Sequence, residues 1–238
     1  MNKKLPILFL WDKSYGAYIP NSYRQIYCSN IYLKNKIKYT KFPSTLLWVG
    51  KYWTSSNSSC FRTIDYIRDE ELRQGSKIIG TRATVEEVME VDSLKGMSPG
   101  LVTEHFRLSI NTSKRVQISD IALGPDGFYY GQYEPYNDLP LAAQEKEKVL
   151  SIIEELKEKY VIYKSLKPER IGEIAFPVKL NSQTIVEYAS QFSFDFATMY
   201  KEENDYFQTK LLTGQDIVLR LHENLRRLKV LIEEDETS

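Results

Sequence analysis

The side chains that could do chemistry are few and scattered. His105 and His222 are the two histidines. A histidine that activates a nucleophile needs a Ser or Cys within hydrogen-bond reach, and a zinc site needs several ligands at set spacing. Neither pattern surrounds these two, so both read as ordinary surface or core residues. Carboxylates cluster at Asp69-Glu70-Glu71 and at Glu86-Glu87-Glu90-Asp92. A magnesium nuclease projects acids from a strand beside a lysine. Asp120 and Asp126 flank a turn without such a lysine, so the acidic clusters read as solvated helix faces. The glycines at 75, 80, 96, 100, 124, 127 and 131 match neither phosphate-cradling pattern. Cys28 and Cys60 lack metal-ligand spacing; they read as reduced thiols, with a disulfide left open. The expectation is no catalytic residue, no metal and no cofactor, and it leans against an enzyme.

The most informative stretch is basic and aromatic. Between Arg24 and Trp53, the cations Arg24, Lys34, Lys36, Lys38, Lys41 and Lys51 interleave with aromatics that include Tyr39, Trp48 and Trp53. Lysines can contact phosphates, and aromatic faces can stack on bases. On a strand, Lys34, Lys36 and Lys38 share one side. The same row also protects a sheet edge against unwanted pairing, or meets a protein partner.

The basic stretch belongs to a larger asymmetry. Eight lysines and Arg24 against the single acid Asp12 give residues 1–60 a net charge of +8, whereas the whole chain is neutral. Such polarity suits docking, onto phosphates or onto the acidic part of another copy. The 17 tyrosines suit half-buried sheets and interfaces. Leu5 to Trp11 follows two lysines like a short signal peptide, but it lacks a cleavage pattern and reads as a first strand. No run reaches the ~18 apolar residues of a membrane span. A cytoplasmic protein is expected, and the richness in Lys, Ile, Asn and Tyr fits a low-GC bacterial or phage source.

The elements that would position these residues fall into two parts. Before residue 137, strands are expected at Leu5–Trp11, within Tyr23–Lys41, at Leu46–Trp53 and from Ile78. Thr63–Gly75 reads as a short helix, and Thr84–Val91 fits either a helical turn or a strand edge. Val102–Ile110 reads as a strand that turns at Asn111-Thr112-Ser113 and returns through Val116, Ile118 and Ile121. A second hairpin, Ile121–Tyr133, turns at Gly124-Pro125-Asp126-Gly127. Its segment DIALGPDGFYYG resembles one repeat of an NHL-type β-propeller. The pattern occurs once, so the resemblance implies turn chemistry there and no propeller.

From residue 138 the chain reads as helical. Asp138 is expected to cap a helix to Leu166, with Pro140 in its first turn and a stripe of Val149, Ile152, Ile153, Leu156, Tyr160 and Tyr163. Surface pairs are expected at Glu145–Lys148 and Glu155–Lys159. Ile174–Leu180 reads as a strand or an extended crossing. A second helix, capped by Asn181 or Ser182, carries Ile185, Tyr188 or Ala189, Phe192, Phe196, Met199, Phe207 and Leu211. A capping box at Thr213–Asp216 would start the last helix, with Leu221, Leu225, Leu228 and Ile232 on one side.

The sequence thus predicts an α+β fold: a β-rich part, 1–137, with an antiparallel sheet, and a helical part, 138–238. The expected function is a non-catalytic binding or assembly subunit that meets other protein subunits or itself, with no membrane partner. The alternative is a nucleic-acid-binding protein, a nuclease or nucleoprotein subunit, that uses the basic-aromatic stretch.

Overall fold

A computed structural model describes residues 4–9, 20–28, 44–49, 78–91, 105–176, 184–200, 207 and 211–236. They belong to two compact units, Met1–Tyr136 and Asn137–Ser238. The first is built on strands and the second on helices, which establishes the α+β class.

The first unit has six strands: β1 (Lys4–Phe9), β2 (Tyr23–Cys28), β3 (Thr45–Val49), β4 (Ile78–Val91), β5 (His105–Leu123) and β6 (Tyr129–Pro135). Their order is β2-β5-β4-β3-β1-β6, and β6 also pairs with β5. That last pairing closes β5, β4, β3, β1 and β6 into a ring. The pairs are antiparallel, as expected, except that β1 and β3 run parallel, so the sheet is mixed. The apolar runs of β1 and β3 do not alternate with polar residues, because their outer faces are buried as well as the faces turned into the ring. Leu46, Leu47, Trp48 and Val49 are all buried, so both faces of β3 are covered. Leu5, Ile7, Leu47, Val49, Ile78, Val116 and Ile118 share one core. They follow the two-residue period of a ring's inner face.

β5 does not turn at Asn111–Ser113. It runs through, because those polar groups are satisfied across the sheet: Thr112 N donates to Ser22 O at 2.9 Å and Ser22 N to Thr112 Oγ1 at 2.9 Å. Two register shifts absorb extra residues along β5, one after Thr112 and one between Ser119 and Ala122, where Asp120 has φ 49°. The hairpin at Gly124–Gly127 forms as expected. Gly124 N donates to Phe128 O at 2.7 Å and Gly127 takes φ 76°. Asp126 accepts from Phe128 N at 3.1 Å and from the Tyr130 hydroxyl at 2.7 Å; the latter bond raises the Tyr130 pKa.

The second unit holds α1 (Ala143–Leu166), α2 (Ile185–Thr198) and α3 (Ile217–Glu236). The buried face of α1 is the expected stripe of six. Its N-terminus differs: Ala142 is the cap, and Ala142 N donates to the Glu145 carboxylate at 2.7 Å. Glu155 reaches Lys229 of α3 at 2.6 Å where Lys159 was expected. Contacts of Leu139 with Gln215, Glu155 with Lys229 and Lys167 with Asp235 climb both segments in the same order, so α1 and α3 run parallel.

α2 ends at Thr198, earlier than its apolar stripe suggests. Tyr200 bridges Ile171, and its hydroxyl donates to Asn224 O at 2.8 Å. Residues 172–176 have no strand structure, and Phe176 packs on Tyr160 and Phe192. Asp216 caps α3: its Oδ1 accepts from Leu219 N at 3.0 Å. The predicted helix at 63–75, the predicted caps Asn181 and Ser182, and Asp69-Glu70-Glu71 lie outside the described residues.

Candidate functional site

β4 and β5 are longer than the ring requires. The ring uses β4 up to Thr84, where β3 pairs with it, and the part of β5 from Val116 that pairs with β6. Beyond that, β4 continues to Val91 and stays paired with β5 back to His105, while β2 takes the other side of β5. The result is a three-stranded ribbon: β4 from Val85, β5 up to Asn111, and β2. Its middle strand is buried at Leu108, Ser109 and Ile110. Its outer strands are open. Glu86, Glu87, Val88 and Met89 are all exposed, Val88 at 37% and Met89 at 39%, and Tyr23 of β2 is 52% exposed.

Consecutive exposure of Glu86 to Met89 means that both faces of β4 meet solvent there. The register shift between Val85 and Glu87 marks the start of this segment. Val85 N donates to Ser44 O at 2.9 Å. Past it, among the described residues, no strand pairs with the outer edge of β4. An edge strand turns alternate N–H and C=O groups away from its one partner, a template for a further strand.

The polar contacts on the ribbon cross its strands. Arg107 lies 3.8 Å from Glu87 and also donates to the Met89 sulfur. Ser109 Oγ donates to Glu87 Oε2 at 3.5 Å, Asn111 Nδ2 donates to Glu86, and Gln25 Nε2 to the Tyr23 hydroxyl at 3.1 Å. These contacts hold the side chains without burying them. The Glu86-Glu87-Glu90 cluster therefore sits on a strand, and the helix-face reading is corrected. Valines at 85, 88 and 91 mimic helical spacing.

The basic-aromatic residues divide. Arg24 lies in β2, paired with Ile110. Trp48 is in β3 between Leu8 and Thr81 with 0% exposure, so it is a core residue and presents no face to a base. Lys34, Lys36, Lys38, Tyr39, Lys41, Lys51 and Trp53 lie outside the described residues. His222 is exposed on α3. Among the described residues, no group of three or more His, Cys, Asp or Glu could hold a metal ion, and no helix is long and apolar enough to cross a membrane.

The second unit contains a polar cluster that sequence reasoning missed. Arg220, 2% exposed, donates to both oxygens of Asp138 at 2.5 and 2.8 Å, to Gly214 O at 2.7 Å and to Ser193 Oγ at 3.0 Å. Its guanidinium lies 4.5 Å from the Phe194 ring centroid, and Ser190 Oγ also donates to Asp138. Asp138, the expected helix cap, thus serves as the counter-charge of a buried arginine. Every partner is satisfied within the unit, so the cluster reads as structural.

No family model matches the chain, and no curated protein sequence matches it. The fold does have counterparts. A solved structure of the N terminal domain of a Mycobacterium avium complex Lon protease aligns with 98% of this chain and 99% of its own, with TM-score 0.57 and 13% identity. A Lon N-terminal domain protein from Xanthomonas campestris aligns with 94% of this chain and 98% of its own, with TM-score 0.46 and 11% identity. The first of these likenesses shows that the α+β arrangement is a fold already seen in a domain attached to a protease.

Proposed function

We propose that this chain is a polypeptide-binding module, a non-catalytic part of a larger protein assembly that holds other protein chains. The observation that carries the reading is the ribbon beyond the ring, where β4 exposes Val88 and Met89 beside Glu86 and Glu87 along an edge that, among the described residues, pairs with no further strand. Apolar side chains next to free main-chain donors and acceptors are what an extended polypeptide needs, since main-chain bonds supply affinity and side chains supply selectivity. The likeness to the N terminal domain of a Lon protease supports this, because a domain joined to a protease is well placed to hold the chains that the protease cuts.

Anisotropy titration of a fluorescently labelled, reduced and unfolded test protein against the intact chain tests the reading. Saturable binding of the unfolded form, and none of the native form, is expected. No binding of the unfolded form, together with salt-sensitive binding of single-stranded RNA or DNA, would overturn it in favour of the nucleic-acid reading.

A further inference from the structure

We infer that the β4 edge takes an extended segment bearing Lys or Arg at alternate positions, added as a further antiparallel or parallel strand. The inference rests on the polypeptide-binding reading and names the chemistry of the partner. No basic residue occurs between Val85 and Val91, whereas Glu86 and Glu87 are both exposed there. Among the described residues, Arg107 is the cation that faces Glu87, at a separation of 3.8 Å, and its guanidinium is shared with Met89. Among those residues, one cation thus stands against the two exposed carboxylates.

Charges on an edge strand deter indiscriminate pairing. Acids deter acidic and purely apolar strands, but they attract a basic one. The register shift between Val85 and Glu87 breaks the alternation of faces, so that Glu86 meets Asn111 while Glu87 meets Ser109 and Arg107, residues two apart on β5. Both carboxylates therefore stand on one face of the edge, where the alternate cations of an incoming strand would also lie. Val88 and Met89 continue the same edge with one apolar side chain per face, which favours small or aliphatic residues between the cations.

The test uses the intact chain and three labelled peptides of equal length that alternate valine with lysine, glutamine or glutamate. A fourth peptide is the lysine version N-methylated at every residue, so that neither of its edges can donate to β4. Affinity in the order lysine, glutamine, glutamate is expected, with about tenfold or more separating the first from the last. The order should collapse in E86Q/E87Q and invert in E86K/E87K, and the N-methylated peptide should fail on all forms. These side chains are exposed, so the variants should keep the parent circular dichroism. Binding of the unfolded test protein with no charge order among the peptides, or an order unchanged in E86K/E87K, would overturn this inference and leave the polypeptide-binding reading intact. Undiminished binding of the N-methylated peptide would overturn strand addition. Failure of the peptides and the unfolded protein alike would overturn both.

Discussion

Removing the carboxylate of Asp138 should unfold the helical unit more readily than almost any other polar substitution in it. Arg220 is 2% exposed, and Asp138 meets it with both oxygens at 2.5 and 2.8 Å. In Asp138→Ala the guanidinium keeps Gly214 O and Ser193 Oγ, at 2.7 and 3.0 Å, but loses its counter-charge. A buried charge stripped of its partner costs about 3–5 kcal/mol. That is a large fraction of a typical domain stability of about 5–15 kcal/mol. The assay is urea unfolding followed by far-ultraviolet circular dichroism, which reports α1, α2 and α3. The three tryptophans, Trp11, Trp48 and Trp53, all lie in the first unit, so their fluorescence reads that unit. The dichroism midpoint should fall with an unchanged slope. Removing both charges, in D138A/R220M, should recover part of the loss, because the penalty comes from the orphaned cation. A loss under about 1 kcal/mol in D138A, the worth of an exposed ion pair, would refute the reasoning. So would a double variant as unstable as the single.

Three further outcomes are expected. A Cβ added at Gly80 would lie 2.5 Å from the backbone oxygen of Trp48 and 3.2 Å from Ile118 and Val49. Backbone cannot move aside cheaply, so Gly80→Ala should destabilise the first unit by about 1–3 kcal/mol, measured by tryptophan fluorescence in urea. Leu156, 0% exposed on α1, should cost about 2–5 kcal/mol as Leu156→Ala. Val161→Ala, at a site 61% exposed on the same helix, should stay within about 0.5 kcal/mol of the parent. Desolvation holds the Asp195 carboxyl above the usual carboxylate range, against the opposing effect of the Gln191 hydrogen bond. The folded state therefore keeps a proton that the unfolded state releases, and stability falls as pH rises from the ordinary aspartate value through the raised one. Asp195→Asn should remove that fall, visible as a flatter plot of urea midpoint against pH.

Much of this architecture is legible where a local pattern decides the structure. The six buried residues of α1 obey one helical period against a polar background, and the tip at Gly124–Gly127 carries turn residues at the positions where the backbone needs them. The apolar runs in β1 and β3 mark buried strands. What escapes the sequence is nonlocal. The parallel pairing of β1 with β3 and the closure of β6 onto β5 join segments far apart in the chain, and no local propensity encodes either. Asn111-Thr112-Ser113 resembles a turn, yet Ser22 offers the same groups a cross-strand partner. Asp138 looks like a helix cap because its true partner, Arg220, stands 82 residues away. The three-residue spacing of its valines leaves the ribbon edge open between a helical turn and a strand edge, and only the pairing with β5 decides it. Trp48 was misread for a physical reason too: an aromatic between lysines looks exposed until its strand is placed in the middle of a sheet.

Amide hydrogen exchange on the intact chain, with and without the unfolded test protein, tests polypeptide binding at the ribbon most directly. Slowed exchange concentrated in Val85–Val91, with α1, α2 and α3 unchanged, is the predicted result. Saturating polypeptide that leaves the β4 amides exchanging as before, or that protects the helices instead, would contradict it.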